Sequence, residues 1–108
     1  MITPLAKLRI EILKKKLDGV LISSIPNIIY LTGYSGFSKE EREAYLLVTK
    51  NQQYILTDGR YTQAVKTVIP NFELIEVSSK LSAMNALKKL IKKHKIKRLG
   101  FEGRNISF

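Results

Sequence analysis

Three carboxylates stand beside apolar runs of this sequence: Asp18 precedes one, and Asp58 and Glu102 follow two others. Carboxylates at strand ends can hold a magnesium ion for phosphodiester hydrolysis. The chain direction argues against it here. If the three runs are parallel strands, Asp18 lies at the opposite edge of the sheet from Asp58 and Glu102. All three are expected to cap and turn the chain, with Asp58 accepting N–H bonds at the start of the next helix. Nucleophilic chemistry fares no better. Gly33-Tyr34-Ser35-Gly36-Phe37 approaches the nucleophile-elbow pattern, but its final glycine is missing and the serine follows a helix instead of a strand. The single histidine, His94, sits near the C-terminal end of an apolar helix face and reads as a packed or capping residue, not as a base. The chain has no cysteine, which excludes disulfides, thiol catalysis and cysteine-ligated metal. No Gly-rich phosphate loop occurs. The residues therefore assign no catalytic group, no metal ligand and no cofactor.

The elements that position these groups follow from periodicity. Thr3-Pro4 reads as an N-cap and first helical position, and Leu5, Leu8 and Ile12 recur at helical spacing, which predicts a helix over 4–16 ended by Asp18-Gly19. Residues 20–23 fit a short buried strand. Pro26 opens a short helix to residue 31, and 32–43 lacks apolar periodicity and reads as a loop. Runs 44–49 and 54–57 form a hairpin around Lys50-Asn51-Gln52-Gln53, a weaker turn signal than Asn-Gly. A helix over 60–68, a strand over 72–77, an amphipathic helix over 81–94 and a strand over 98–101 complete the chain. Three strand–helix–strand units predict a largely parallel sheet covered by helices, and the hairpin makes one strand run against the others. The expectation is an α/β fold with a mixed sheet of about five strands. The last residues, Asn105-Ile106-Ser107-Phe108, read as the start of another element, as in a domain cut from a longer protein.

Length, 108 residues, and 44% hydrophobic content fit one globular domain spanning 1–108. No apolar run approaches the ~20 residues needed to cross a bilayer. Lys7, Arg9 and Glu11 interrupt the segment where a signal peptide would be apolar, so no membrane and a cytoplasmic location are expected. Nineteen Lys and Arg against nine Asp and Glu give a formal +10. The excess is sharpest from Lys88 to Arg98, seven cations without an acid. A small basic nucleic-acid-binding domain is the alternative reading of this run. The run holds no aromatic to stack on bases, and its cations gather at a helix C-terminus where the macrodipole favours them, so a solvated helix end is the preferred reading.

Five segments occur together in order: LKKKLDGVLIS (13–23), NIIYLTGYSG (27–36), YLLVT (45–49), TDGRY (57–61) with Gln63-Ala64 after it, and RLGFEG (98–103). Together they resemble the N-terminal domain of the creatinase/prolidase/Xaa-Pro aminopeptidase family, over nearly the whole chain. The resemblance implies a ribonuclease H-like, three-layer α/β/α fold. It also implies a C-terminal pita-bread metallopeptidase domain outside these residues, which would carry two divalent metal ions, manganese by expectation, and act on proline-containing peptides. This domain would then be non-catalytic, shape the active-site entrance and support a homodimer. The loop of 33–43 would face the substrate entrance or a neighbouring subunit, with Tyr34, Ser35, Gly36, Phe37 and Arg42 as its candidate contacts. Its stretch 37–43 is longer and more charged than the commoner family form. Asn27, Tyr30, Gly33, Asp58, Gly59, Arg60 and Tyr61 form the structural motif. Gly33 and Gly36 are expected to allow positive φ, Asp58 to cap, and Arg60 and Tyr61 to fix the following helix against the sheet edge. A free-standing interaction domain is a further alternative.

Overall fold

The computed structural model describes residues 2–36 and 44–103. Helix α1 (Pro4–Lys14) starts where the Thr3 hydroxyl accepts the Ala6 N–H at 3.1 Å, with proline at the first helical position. Strand β1 (Gly19–Ile22), helix α2 (Ile25–Thr32), strands β2 (Ala44–Thr49) and β3 (Gln53–Asp58), a 3₁₀ turn (Gly59–Tyr61), helix α3 (Thr62–Val68), strand β4 (Glu73–Val77), helix α4 (Ala83–Lys93) and strand β5 (Leu99–Phe101) follow. The helix expected over 60–68 opens as a 3₁₀ turn, because Asp58 accepts the N–H only two residues on, at Arg60. The helix expected from residue 81 begins at Ala83, where the Ser82 hydroxyl caps Asn85 N–H at 3.1 Å.

The five strands lie in the order β4-β3-β2-β1-β5. β2 occupies the centre and runs antiparallel to both neighbours, while β3 pairs with β4 and β1 with β5 in parallel. Strand alternation divides the core in two. Leu46, Val48 and Ile55 face α1, α2 and α3, where they meet Leu8, Ile12, Ile28, Val65 and Ile69. Leu47, Tyr54 and Leu56 face α4, where they meet Ala86 and Leu90. The result is a three-layer α/β/α fold with a mixed five-stranded sheet.

The weak turn sequence between β2 and β3 is held from outside. Thr49 Oγ1 accepts Gln52 N–H at 3.0 Å, and Arg9 reaches over from α1 to donate to Thr49 O at 3.1 Å, Gln52 O at 2.9 Å and Gln53 Oε1 at 2.6 Å. The guanidinium satisfies carbonyls that an Asn-Gly turn would leave to water.

Helices α1 and α4 end alike. Lys16 (φ 55°) and Lys95 (φ 53°) occupy the left-handed position usually given to glycine. Leu17 N–H then donates back to Ile12 O at 2.9 Å, and Ile96 N–H to Ile91 O at 3.0 Å. A side chain in this conformation costs about 1–2 kcal/mol, partly offset by the greater unfolded-state freedom of glycine. Lys16→Gly and Lys95→Gly are each expected to stabilise the fold by about 0.5–1 kcal/mol, read as a higher urea midpoint. An unchanged or lower midpoint would mean that neither lysine is strained.

Candidate functional site

Strands β1, β3, β4 and β5 run in one direction, so their carboxyl ends share one edge of the sheet. In open α/β sheets this is the edge where loops converge on ligands. Ser23 and Ser24 follow β1 here, Asp58 closes β3 and Glu102 follows β5. Helix α2 begins at the same edge, and the antiparallel strand β2 starts there at Ala44.

Glu102 organises this edge. Its Oε1 accepts Ser23 N–H at 2.6 Å, Ser24 N–H at 2.5 Å and the Ser23 hydroxyl at 3.0 Å, while Oε2 accepts the Asn27 amide at 2.7 Å. Ser24 is the N-cap of α2, so the carboxylate sits on the positive end of a helix and locks the start of the Asn27–Gly33 motif. Burial pushes the Glu102 carboxyl up. The four hydrogen bonds from Asn27, Ser23 and Ser24 pull it down and prevail, leaving it below its ordinary value.

At its far end α2 stops at Gly33, which takes φ 80° and donates to Ile29 O at 2.7 Å. Gly36 has a different reason from the one expected. It is not among the positive-φ glycines; instead the Tyr34 phenol lies where a Cβ of residue 36 would stand. Tyr34 itself packs against the core under α2, with its N–H on Thr32 Oγ1 at 3.1 Å. Ser35 is exposed, and Tyr30 is 47% exposed on α2. Phe37 and Arg42 lie outside the described residues.

Asp58 caps as expected, accepting Arg60 N–H at 2.9 Å. The Arg60 side chain folds back onto Asp58, the last residue of β3, with Nε 3.0 Å from Oδ1 and Nη2 2.9 Å from Oδ2, which ties the start of the helical segment to the sheet edge. This forked pair holds the Asp58 carboxyl below its ordinary value. The guanidinium also stands 5.4 Å from the centre of the Tyr61 ring, and it is Tyr61 that packs on the core. Gly59 leaves room for Glu76, whose Oε1 accepts the Thr62 hydroxyl at 3.3 Å.

The three candidate carboxylates do not meet. Asp18 lies at the opposite edge, where Oδ2 accepts the N–H groups of Lys97 and Arg98 at 2.8 and 2.9 Å. Those bonds hold the Asp18 carboxyl below its ordinary value. Asp58 and Glu102 share an edge but stand three strand spacings apart, about 14 Å. No group of three or more His, Asp or Glu that could hold a metal occurs among the described residues. His94 both caps and packs: its N–H donates to Leu90 O, and its Nε2 meets the buried Tyr54 hydroxyl at 2.6 Å.

Sequence reasoning recognised Asn27 and Glu102 as members of separate segments but not as partners. The local signal, a serine before a proline-opened helix, marks the cap of α2 and carries no sign of a carboxylate 78 residues later.

A family model described as the Creatinase/Prolidase N-terminal domain matches residues 4–108. An uncharacterized peptidase of Bacillus subtilis, YqhT, is 32% identical over 92 residues, which cover 85% of this chain and 24% of that protein. The chain thus spans about a quarter of the length of that curated relative. The crystal structure of an aminopeptidase P, an Xaa-Pro aminopeptidase from Streptococcus thermophilus, superposes with a TM-score of 0.77 at 29% identity, covering 96% of this chain and 74% of that one. The N-terminal domain of the cytoplasmic peptidase PepQ from Mycobacterium tuberculosis H37Rv superposes with a TM-score of 0.71 at 30% identity, covering 89% and 69%. Among the described residues no helix is long and apolar enough to cross a membrane.

Proposed function

We propose, on the premise that this chain belongs to the creatinase/prolidase N-terminal domain family, that it is the non-catalytic domain of a cytoplasmic Xaa-Pro peptidase. In this reading it shapes the entrance to an active site carried by a C-terminal pita-bread domain and supports a homodimer. One observation carries the proposal. Parts of three of the five segments behind the resemblance, Asn27 at the start of α2, Asp58–Tyr61 and the turn at Glu102, come from distant parts of the chain and lie at one edge of the sheet. Their carboxylates are spent on the fold: Glu102 on the start of α2, Asp58 on Arg60. Among the described residues, α2 and the turn after it leave Tyr30, Ser35 and Gly36 exposed, groups suited to line an entrance and not to perform chemistry in it.

Among the described residues Asp18, Asp58 and Glu102 stand apart, each already holding donors of the chain itself, which supports placing the two divalent metals expected of such a peptidase, and the hydroxide they would generate, in the catalytic domain. Incubated with Mn²⁺ and an Ala-Pro dipeptide, the purified 108-residue chain is expected to release no alanine above the protein-free blank. Sustained turnover by a pure sample would overturn the proposal.

A further inference from the structure

We infer that the sheet edge opposite Asp58 and Glu102 is a binding surface for the phosphate backbone of a nucleic acid. The basic run ending at Arg98 reads alone as a solvated helix end. The fold joins it to a second run from the other end of the sequence. The α1–β1 connection delivers Lys14 to Lys16, the β2–β3 turn delivers Lys50, and the α4–β5 connection delivers five cations from Lys92 to Arg98. The three connections touch: Asp18 N–H donates to Arg98 O at 2.8 Å, and Asp18 Oδ1 lies 3.8 Å from Lys50 Nζ. Nine exposed cations thus share one edge with three described carboxylates, Glu11, Asp18 and Glu73. Glu11 is paired with Lys14 and Lys15, and Asp18 with Lys50 and the N–H groups of Lys97 and Arg98.

Two features set this edge apart from an ordinary lysine-rich surface. Lys16 and Lys95 hold cations at left-handed positions where glycine would be less strained, one on each side of the sheet. The same edge holds an open depression lined by Asp18, Thr49, Lys50, Asn51 and His94. The cations stand on the ends of two helices and on turns from three separate connections, not along one continuous amphipathic helix of the kind that lies in a lipid interface. The one ring in the lining, His94, is held against Tyr54 by the 2.6 Å contact of its Nε2 with the Tyr54 hydroxyl, so recognition is of phosphate and is independent of sequence.

Fluorescence anisotropy of the 108-residue chain with a labelled 20-nucleotide single strand tests this. Binding is expected with a slope of log affinity against log salt of about −3 between 50 and 200 mM NaCl, roughly four phosphates at ~0.7 each. The triple substitution Lys14→Gln, Lys50→Gln, Lys97→Gln should weaken binding five- to tenfold and flatten the slope by about 2. Lys7→Gln, Lys80→Gln, Lys88→Gln removes the same charge away from this edge and should change affinity less than twofold. Combining Lys16→Gly with Lys95→Gly should weaken binding while raising the unfolding midpoint, which separates lost contact from lost folding. No binding at 50 mM salt, equal losses in both triple variants, or tighter binding to vesicles containing phosphatidylserine than to the oligonucleotide overturns the inference.

Discussion

Glu102→Ala is expected to destabilise the chain by about 2–4 kcal/mol, a large part of the margin of a domain this size. The carboxylate accepts four hydrogen bonds, and its loss leaves two backbone N–H groups at the start of α2 and the Asn27 amide without their acceptor. Glu102→Gln should cost less, about 1–2 kcal/mol, because one oxygen can still serve the serine N–H groups while the new NH₂ meets the Asn27 donor. The pH dependence has a definite sign. The folded carboxyl lies below its ordinary value, so its contribution is fully present above the unfolded value of about 4.3 and fades as pH falls through the folded one. Asp18 and Asp58 are shifted in the same direction and add to the same acid limb. Urea midpoints at pH 7 and across pH 5 to 3 should show Glu102→Ala destabilised at neutral pH and less steeply weakened by acid than the parent. Parallel curves would mean that the carboxylate is not a stabilising hub.

Leu46→Ala and Leu47→Ala truncate adjacent residues of the central strand into opposite layers. Both side chains are fully buried. Leu46 points into a layer walled by three helices, with Leu8, Ile12, Ile28 and Ile69 around it at or near zero exposure. Leu47 points toward α4 alone, among neighbours such as Ile75, Leu87 and Leu99 that are only partly buried. A cavity closes more readily where its walls can move. Leu46→Ala is therefore expected to cost about 3–4 kcal/mol and Leu47→Ala about 2–3 kcal/mol. Equal costs, or the reverse order, would show that the α4 layer is as rigid as the other.

What could be read from the sequence was local. Thr3-Pro4 and the Leu5-Leu8-Ile12 spacing fix α1 because capping and periodicity act within one or two turns, and the two runs around Lys50 mark a hairpin for the same reason. Three of the family segments marked the candidate edge by resemblance. The contacts that build it were illegible because they join residues far apart: Asn27 to Glu102, or Arg9 to the turn at Gln52. Gly36 misled for a related reason. Its requirement is room for the Tyr34 phenol, a property of the folded loop that composition does not carry. The basic edge was visible only in halves, since nothing in the order of residues says that Lys16 and Lys97 are neighbours.

The strand order also dictates a sequence of assembly. β2 and β3 can zip together as soon as both exist, whereas β1 must keep one flank open until its parallel mate arrives some 80 positions later. During synthesis the apolar ribbon of Val20 and Ile22 is therefore a temporary open edge, and the last turn to arrive, bearing Glu102, is the latch that shuts it.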